Sequence, residues 1–239
     1  MIFNIRMKIS KTLLILSLVC AFLFVSCEDN SVSAPDETAV VDVINPITGR
    51  TWMDRNLGAL RVATSSDDSQ AYGDLYQWGR GTDGHEKRNS GTTTTLSNSD
   101  QVGHGNFILP AVGITAERPG DWRNPQNNNL WQGVNGINNP CPNGYRIPTQ
   151  EEWKAEIESW SSKDAVGAFA SPLKLPMAGW RHAYNGSIIT SSYVGKYWSG
   201  PRPGRVTSDY LRFTDSDDHR AGLPGQARAQ GKSVRCIKD

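Results

Sequence analysis

The stretch Cys-Pro-Asn-Gly-Tyr-Arg-Ile-Pro-Thr-Gln-Glu-Glu-Trp, residues 141–153, carries the clearest structural signal of this chain. Thr149 is a good N-cap residue, and Glu152 stands three positions after it, which together make a capping box. An apolar face with helical spacing follows at Trp153, Ile157 and Trp160. We therefore predict a helix that begins after Thr149 and ends by Ser162.

Strand signals lie on both sides of this helix. Residues 40–44 and 50–53 enclose a turn that contains Pro and Gly. Residues 175–184 and 187–190 flank Asn185-Gly186, which is a strong signal for a tight hairpin. Three further strands are predicted at residues 196–199, 210–213 and 233–237. One early helix and a late run of antiparallel strands predict a single loop-rich domain of the α+β class.

The first 26 residues have the pattern of a secretory signal. Arg6, Lys8 and Lys11 precede an apolar run, residues 13–25, that ends just before Cys27. The run is shorter than the ~20 residues that span a bilayer, although a single membrane anchor remains an alternative. The cysteine at the break is similar to that of a bacterial lipoprotein signal, which implies acylation of Cys27.

This signal divides the chain and implies a location. We predict a signal peptide over residues 1–26, a polar flexible tether over 27–38 and a folded domain over 39–239. The acidic pair after Cys27 resembles a surface-export tag of Bacteroidota lipoproteins. We therefore expect a protein anchored by lipid in the outer membrane and facing outward, with the membrane as its first partner.

The cysteines that remain in the mature chain predict one disulfide. Cys20 is removed with the signal and Cys27 is acylated, so Cys141 and Cys236 are left. Two thiols in an oxidising compartment indicate a bridge, with two separate buried thiols as the alternative. The bridge would close a loop of about 95 residues, worth about 4–5 kcal/mol in chain-entropy models.

Charge and motifs exclude several classes of function. Removal of residues 1–26 leaves 22 basic and 24 acidic residues, so we expect no nucleic-acid partner. The sequence contains no phosphate-binding loop, no His-Glu-x-x-His and no Gly-x-Ser-x-Gly, and we expect no cofactor and no catalytic group. A catalytic carboxylate pair remains open. Asp215, Asp217 and Asp218 are weak candidates for calcium ligands, and a solvated turn is the favoured interpretation.

The amide-rich loop over residues 115–140 is the first candidate for ligand binding. Trp122 and Trp131 lie in it, among many asparagines. An exposed aromatic ring beside the donors of Arg123 and Gln132 would suit a sugar, through stacking and directed hydrogen bonds. The alternative is that both rings fix the loop to the body of the domain.

Six segments together resemble the Fibrobacter succinogenes major paralogous domain family. In chain order they are TWMDRNL (51–57), YGDLYQW (72–78), CPNGYRIPTQEEW (141–153), LPMAGWR (175–181), GKYWS (195–199) and GKSVRCI (231–237). The resemblance implies a fold like that of C-type lectins and formylglycine-generating enzymes, but no settled activity. The calcium-dependent sugar motifs of true lectins are missing, and only Cys236 stands where the related enzymes have a cysteine pair.

These observations favour a non-catalytic binding module or adhesin at the cell surface. Its ligand would be a glycan or a protein of the envelope or of a host. Two alternatives remain open at this point. One is an enzyme that modifies carbohydrate or protein on the same scaffold, and the other is a structural subunit of a surface assembly.

Overall fold

A hairpin of two short strands, β1 (Asp42–Ile44) and β2 (Thr51–Met53), comes first in the part of the chain that the structure describes. The structure is a computed structural model, and it describes residues 38–110, 120–189, 193–201, 207–216 and 220–239. The predicted signal peptide and Cys27, the predicted acylation site, lie outside these residues. The described residues belong to one compact unit.

The first sheet joins the two ends of this unit. Its strand order is β1, β2, β13 (Ile237–Lys238) and β6 (Tyr145–Arg146), and every neighbouring pair is antiparallel. Ile237 pairs with Trp52 on one side and with Arg146 on the other. The last strand of the chain therefore lies in the middle of the sheet that begins with the first strand.

Helix α1 (Gln150–Ser159) follows β6 and confirms the predicted capping box. The Thr149 hydroxyl accepts a hydrogen bond from the Glu152 amide at 3.2 Å, and the Glu152 carboxylate accepts one from the Thr149 amide at 2.8 Å. Trp153 and Ile157 are buried, as the spacing predicts. A second, shorter helix, α2 (Ala165–Ala170), was not predicted, although Asp164 caps it by accepting from the Gly167 amide.

The structure has two further sheets of three or four strands. The second has the order β3 (Tyr76–Gln77), β12 (Gly231–Lys232), β7 (Trp180–Arg181) and β8 (Ile188–Ile189). Strands β7 and β8 form the hairpin predicted around Asn185-Gly186. The third has the order β11 (Gly225–Gln226), β10 (Ser208–Thr214) and β9 (Val194–Trp198). A parallel pair, β4 (Thr92–Thr93) and β5 (Phe107–Ile108), completes the strands.

The predicted strand over residues 233–237 is interrupted, and this corrects the sequence prediction. Ser233 exchanges backbone hydrogen bonds with Lys196 and Trp198, whereas β13 begins only at Ile237. Between them the buried Arg235 donates to the Asn56 side chain and to the Leu173 carbonyl. Because this segment serves two sheets in succession, it cannot pair continuously with either.

The observed fold is compatible with the predicted α+β class and with a loop-rich domain. The described residues form mostly antiparallel strands in several sheets, with long loops and one helix of more than six residues. Their buried side chains form two clusters, one around Trp78, Trp122 and Trp198 and the other around Trp52, Trp153 and Phe213. None of the helices among these residues is long and apolar enough to cross a membrane.

The predicted disulfide is present between Cys141 and Cys236, whose Cα atoms are 5.9 Å apart. It links the loop before β6 to the residue before β13, and Cys236 is fully buried. The bond therefore holds the central strand of the first sheet against the segment that leads into α1.

We expect Cys236→Ser to lower the free energy of unfolding by about 2–5 kcal/mol, because the unfolded chain loses a constraint across a long loop. Urea unfolding of the full-length protein measures this. Cys141→Ser should cost a similar amount, and the double variant should cost little more than either single one. Midpoints unchanged from wild type would contradict a stabilising bridge.

Candidate functional site

Trp122 and Trp131 are buried, which corrects the expectation that they form an exposed stacking face. Trp122 is 0% and Trp131 is 1% exposed. Trp122 Nε1 donates to the Trp78 carbonyl at 2.7 Å, and Trp131 Nε1 donates to the Asn138 carbonyl at 2.8 Å. The backbone of Trp131 has φ 60°, which a bulky residue rarely adopts unless its surroundings hold it. Both rings therefore fix the loop to the core.

The structure does not bring Arg123 and Gln132 together at a ligand site. Arg123 donates to the Pro125 carbonyl, and its Nε lies 2.8 Å from a carboxylate oxygen of Asp100. Gln132 lines a separate cleft of about 510 Å³ beside Trp131, and its amide contacts Asn129 of its own loop. The contacts of these two side chains therefore stabilise the conformation of the loop.

One cluster of potential metal ligands exists among the described residues, at Asp83, His85 and Glu86. His85 Nδ1 lies 2.6 Å from Asp83 Oδ1, and its Nε2 accepts a hydrogen bond from the Gln77 amide at 3.0 Å. Burial lowers the pKa of His85 to about 4, so the ring is neutral and donates from Nδ1. Both ring nitrogens already have partners, and the nearby Arg80 guanidinium disfavours a cation. The cluster is a structural network.

The predicted calcium candidates are only partly described. Asp215 is exposed at the end of β10, while Asp217 and Asp218 lie outside the described residues. Asp215 lines a groove, together with side chains that do not resemble a calcium site. This groove is the most informative surface feature of the described residues.

We call it the β9–β10 groove, a cavity of about 400 Å³. It is lined by Trp180, Tyr193, Val194, Lys196, Arg212, Thr214, Asp215 and Ser216. Volumes of ~300–1,000 Å³ are usual for sites that hold small ligands. Aromatic, cationic and hydroxyl-bearing side chains thus meet in one place.

The alternation of strand residues places these side chains on one face. Lys196 of β9 is the direct cross-strand partner of Arg212 of β10, and Trp198 is the partner of Tyr210. Successive residues of a strand point to opposite faces, so these four share one face. On that face Trp198 and Tyr210 belong to the first core cluster, and Lys196 and Arg212 line the groove. The intervening Tyr197 and Leu211 point inward to the second core cluster. The pairing of two strands therefore builds the groove and the core together.

Cations and aromatic rings alternate beneath the groove. The Lys196 ammonium lies 3.9 Å from the ring centroid of Trp180 and 5.6 Å from that of Tyr210. The Lys232 ammonium lies 3.7 Å from the ring of Trp198 and 4.4 Å from that of Tyr210. Ring faces carry negative electrostatic potential, so these contacts stabilise cations in a partly desolvated environment.

These rings do not replace a counter-ion. Lys196 is 7% exposed, and within the described part of the chain its ammonium has neither a hydrogen-bond acceptor nor a carboxylate partner. Burial, together with the smaller effect of the Arg212 charge, lowers the pKa of Lys196 to about 8. Lys232 is fully buried and donates to Gln230 at 2.8 Å; burial also lowers its pKa well below the usual value. Like charges opposite each other on paired strands are destabilising.

The sequence predicts residues 196–199 and 210–213 only as strands, and it gives no direct sign that they line a groove. The spacing of residues along each strand nevertheless contains a signal for the groove. Lys196-x-Trp198 and Tyr210-x-Arg212 each place a cation and a ring on one strand face. Antiparallel pairing in this register could not be read from the sequence, and it is the register that brings the two cations side by side.

Comparison of the chain with protein-family models, curated proteins and solved structures gave no match.

We expect Trp122→Ala to lower the free energy of unfolding by about 3–5 kcal/mol, because it empties a fully buried site. Trp122→Phe, which keeps most of the apolar volume but loses the Nε1 hydrogen bond, should cost less. Urea unfolding of both variants and wild type checks this order. A Trp122→Ala variant as stable as wild type would show that the ring does not fix the loop.

Proposed function

We propose that this protein is a non-catalytic, lipid-anchored binding module of the bacterial outer membrane, and that it holds a surface ligand in the β9–β10 groove. The observation that carries the proposal is the groove itself. Tyr193 exposes 63% of its surface there, beside Trp180 and the ammonium of Lys196, which has no ion-pair partner among the described residues. An exposed ring beside a charged group is typical of binding sites.

The proposed cellular location and the proposed fold family are argued from the sequence. We propose the lipoprotein signal, acylation at Cys27 and an outward-facing position because of the basic, apolar and Cys-Glu-Asp pattern at the start. We also propose a C-type-lectin-like fold in the major paralogous domain family. The central position of the last strand beside the first hairpin supports this assignment.

Binding is favoured over catalysis by the state of the reactive groups. Cys141 and Cys236 are bonded to each other, so neither offers a thiol. His85 is buried and neutral, and both of its ring nitrogens are engaged. Within the groove Asp215 is the single carboxylate among the described lining residues, whereas two-carboxylate hydrolysis needs a facing pair.

We expect Tyr193→Ala to weaken ligand binding by about tenfold or more, because an exposed ring in a groove contributes contact area without serving the core. A panel of neutral and acidic oligosaccharides and envelope proteins, presented to the full-length protein in detergent, measures this. Tyr184→Ala is the matched control, since Tyr184 is 62% exposed but does not line the groove. Equal binding by both variants and wild type would place the ligand elsewhere.

We expect Cys27→Ser to abolish incorporation of a fatty acid and to release the protein from the membrane fraction, because acyl chains provide the anchor. Metabolic labelling with an alkyne fatty acid and mass spectrometry of the mature N-terminus check this. Cys20→Ser should leave labelling unchanged. Labelling that persists in Cys27→Ser, or a mature chain that keeps Met1, would contradict the anchor.

A further inference from the structure

Among the residues that the structure describes, the cations of the β9–β10 groove have no counter-ion. Lys196 and Arg212 are cross-strand partners on the same face, and neither has a carboxylate within ion-pair distance among the described residues. Lys232 lies beneath them and adds a third basic group. Such an arrangement lowers stability in the free protein, and an anion placed between the first two would relieve it.

The other lining groups indicate what carries the anion. Asp215 also lies in the groove, and its carboxylate would repel a polyacidic peptide but accept hydrogen bonds from hydroxyl groups. Thr214 and Ser216 add hydroxyls at the same end. The exposed ring of Tyr193 gives an apolar surface of the kind on which a pyranose ring packs. An acid group, several hydroxyls and one apolar face are the chemistry of an acidic sugar.

Building on the proposed binding function, we propose that the β9–β10 groove binds an acidic sugar residue of a polysaccharide. The carboxylate or sulfate of the ligand lies between Lys196 and Arg212. Its ring packs against Tyr193, and its hydroxyls donate to Asp215. No calcium ion is needed in this arrangement, because side-chain cations hold the anion directly.

The test uses the full-length protein in detergent and isothermal titration calorimetry. The probes are trigalacturonic acid with its methyl ester, in which methyl groups remove the negative charges, and sulfated maltotriose with plain maltotriose. If the site recognises a carboxylate, trigalacturonic acid should bind more tightly than its ester. If it recognises a sulfate, sulfated maltotriose should bind more tightly than plain maltotriose. We expect the charged member of one pair to bind at least about tenfold more tightly than its neutral counterpart.

Variants assign this preference to the groove. Lys196→Met and Arg212→Gln should each weaken binding of the charged probe by about 10- to 100-fold, and Lys196→Arg should retain most of it. Lys154→Met is the matched control, because Lys154 is an exposed lysine on α1. The Lys196→Met variant should melt at the wild-type temperature or above, since it removes a buried charge that lacks an anion.

The pH dependence of binding distinguishes a Lys196 ammonium that contacts the ligand from a Lys196 that only supports the fold. The groups that face Lys196 are Trp180 of β7, Tyr210 and Arg212 of β10, Lys232 of β12, and Tyr193 and Asp215 at the rim. Because Lys196 loses its proton at a pH of about 8, affinity for the charged probe should fall as the pH rises from about 7 to about 9. Burial raises the pKa of Tyr210, so it stays protonated there. The Lys196→Met variant should lose most of this dependence.

The outcomes distinguish this inference from the proposed function. If neutral and charged probes bind equally and both depend on Tyr193, the inference of an acidic ligand is wrong, but the proposed binding function stands. Binding that no groove variant changes would overturn both. Failure of every charged saccharide to bind, or tighter binding of hexaglutamate than of either charged probe, would overturn the acidic sugar. A large loss of melting temperature in Lys196→Met would mark the lysine as structural and would also overturn the inference.

Discussion

The pairing of β9 with β10 is the constraint on which the core and the groove both depend. Five residue pairs, from Tyr210 with Trp198 to Thr214 with Val194, fix the register. A shift by one residue would move side chains from one face of these strands to the other. Phe213 would then leave the second core cluster, and Lys196 would turn toward it. Gly195 supports this register, because a Cβ there would lie 2.2 Å from the Phe213 ring that packs over it.

The long loops are ordered by buried polar groups instead of by additional strands. Arg80 is fully buried, and its guanidinium donates to Gln77, to Asp83 and to the carbonyls of His104 and Asn106. Gln77 in turn donates to the carbonyls of Ile108 and Ala229, which belong to distant parts of the chain. Buried backbone groups need hydrogen-bond partners, and in a fold with few ladders the side chains provide them. This is why tryptophans in a polar loop belong to the core.

Features with local causes could be predicted from the sequence. The capping box at Thr149 and the turn at Asn185-Gly186 depend on residues a few positions apart, and the two cysteines had few alternatives once the signal was assigned. The helix α2 has a weaker signal, since Gly167 stands in its middle and lowers its helix propensity. The split of the last predicted strand, and the burial of Trp122, depend on partners far away in the chain. The candidate site belongs to this second group, because it needs the register of two strands.

The groove also shows how a chain with nearly balanced charge can present a local excess of one sign. Net charge describes attraction at long range, whereas binding of one acid group depends on side chains within a few ångströms. Lys196 lies against a ring that stabilises a cation but cannot neutralise it, and Arg212 lies directly across from it on the paired strand. A carboxylate from the chain itself, placed between them, would remove the strain and also occupy the site. The described residues provide no such carboxylate. In the proposed complex the free energy lost to unpaired charge would be recovered when an anion binds, and this difference would make the groove selective for charged ligands over neutral ones.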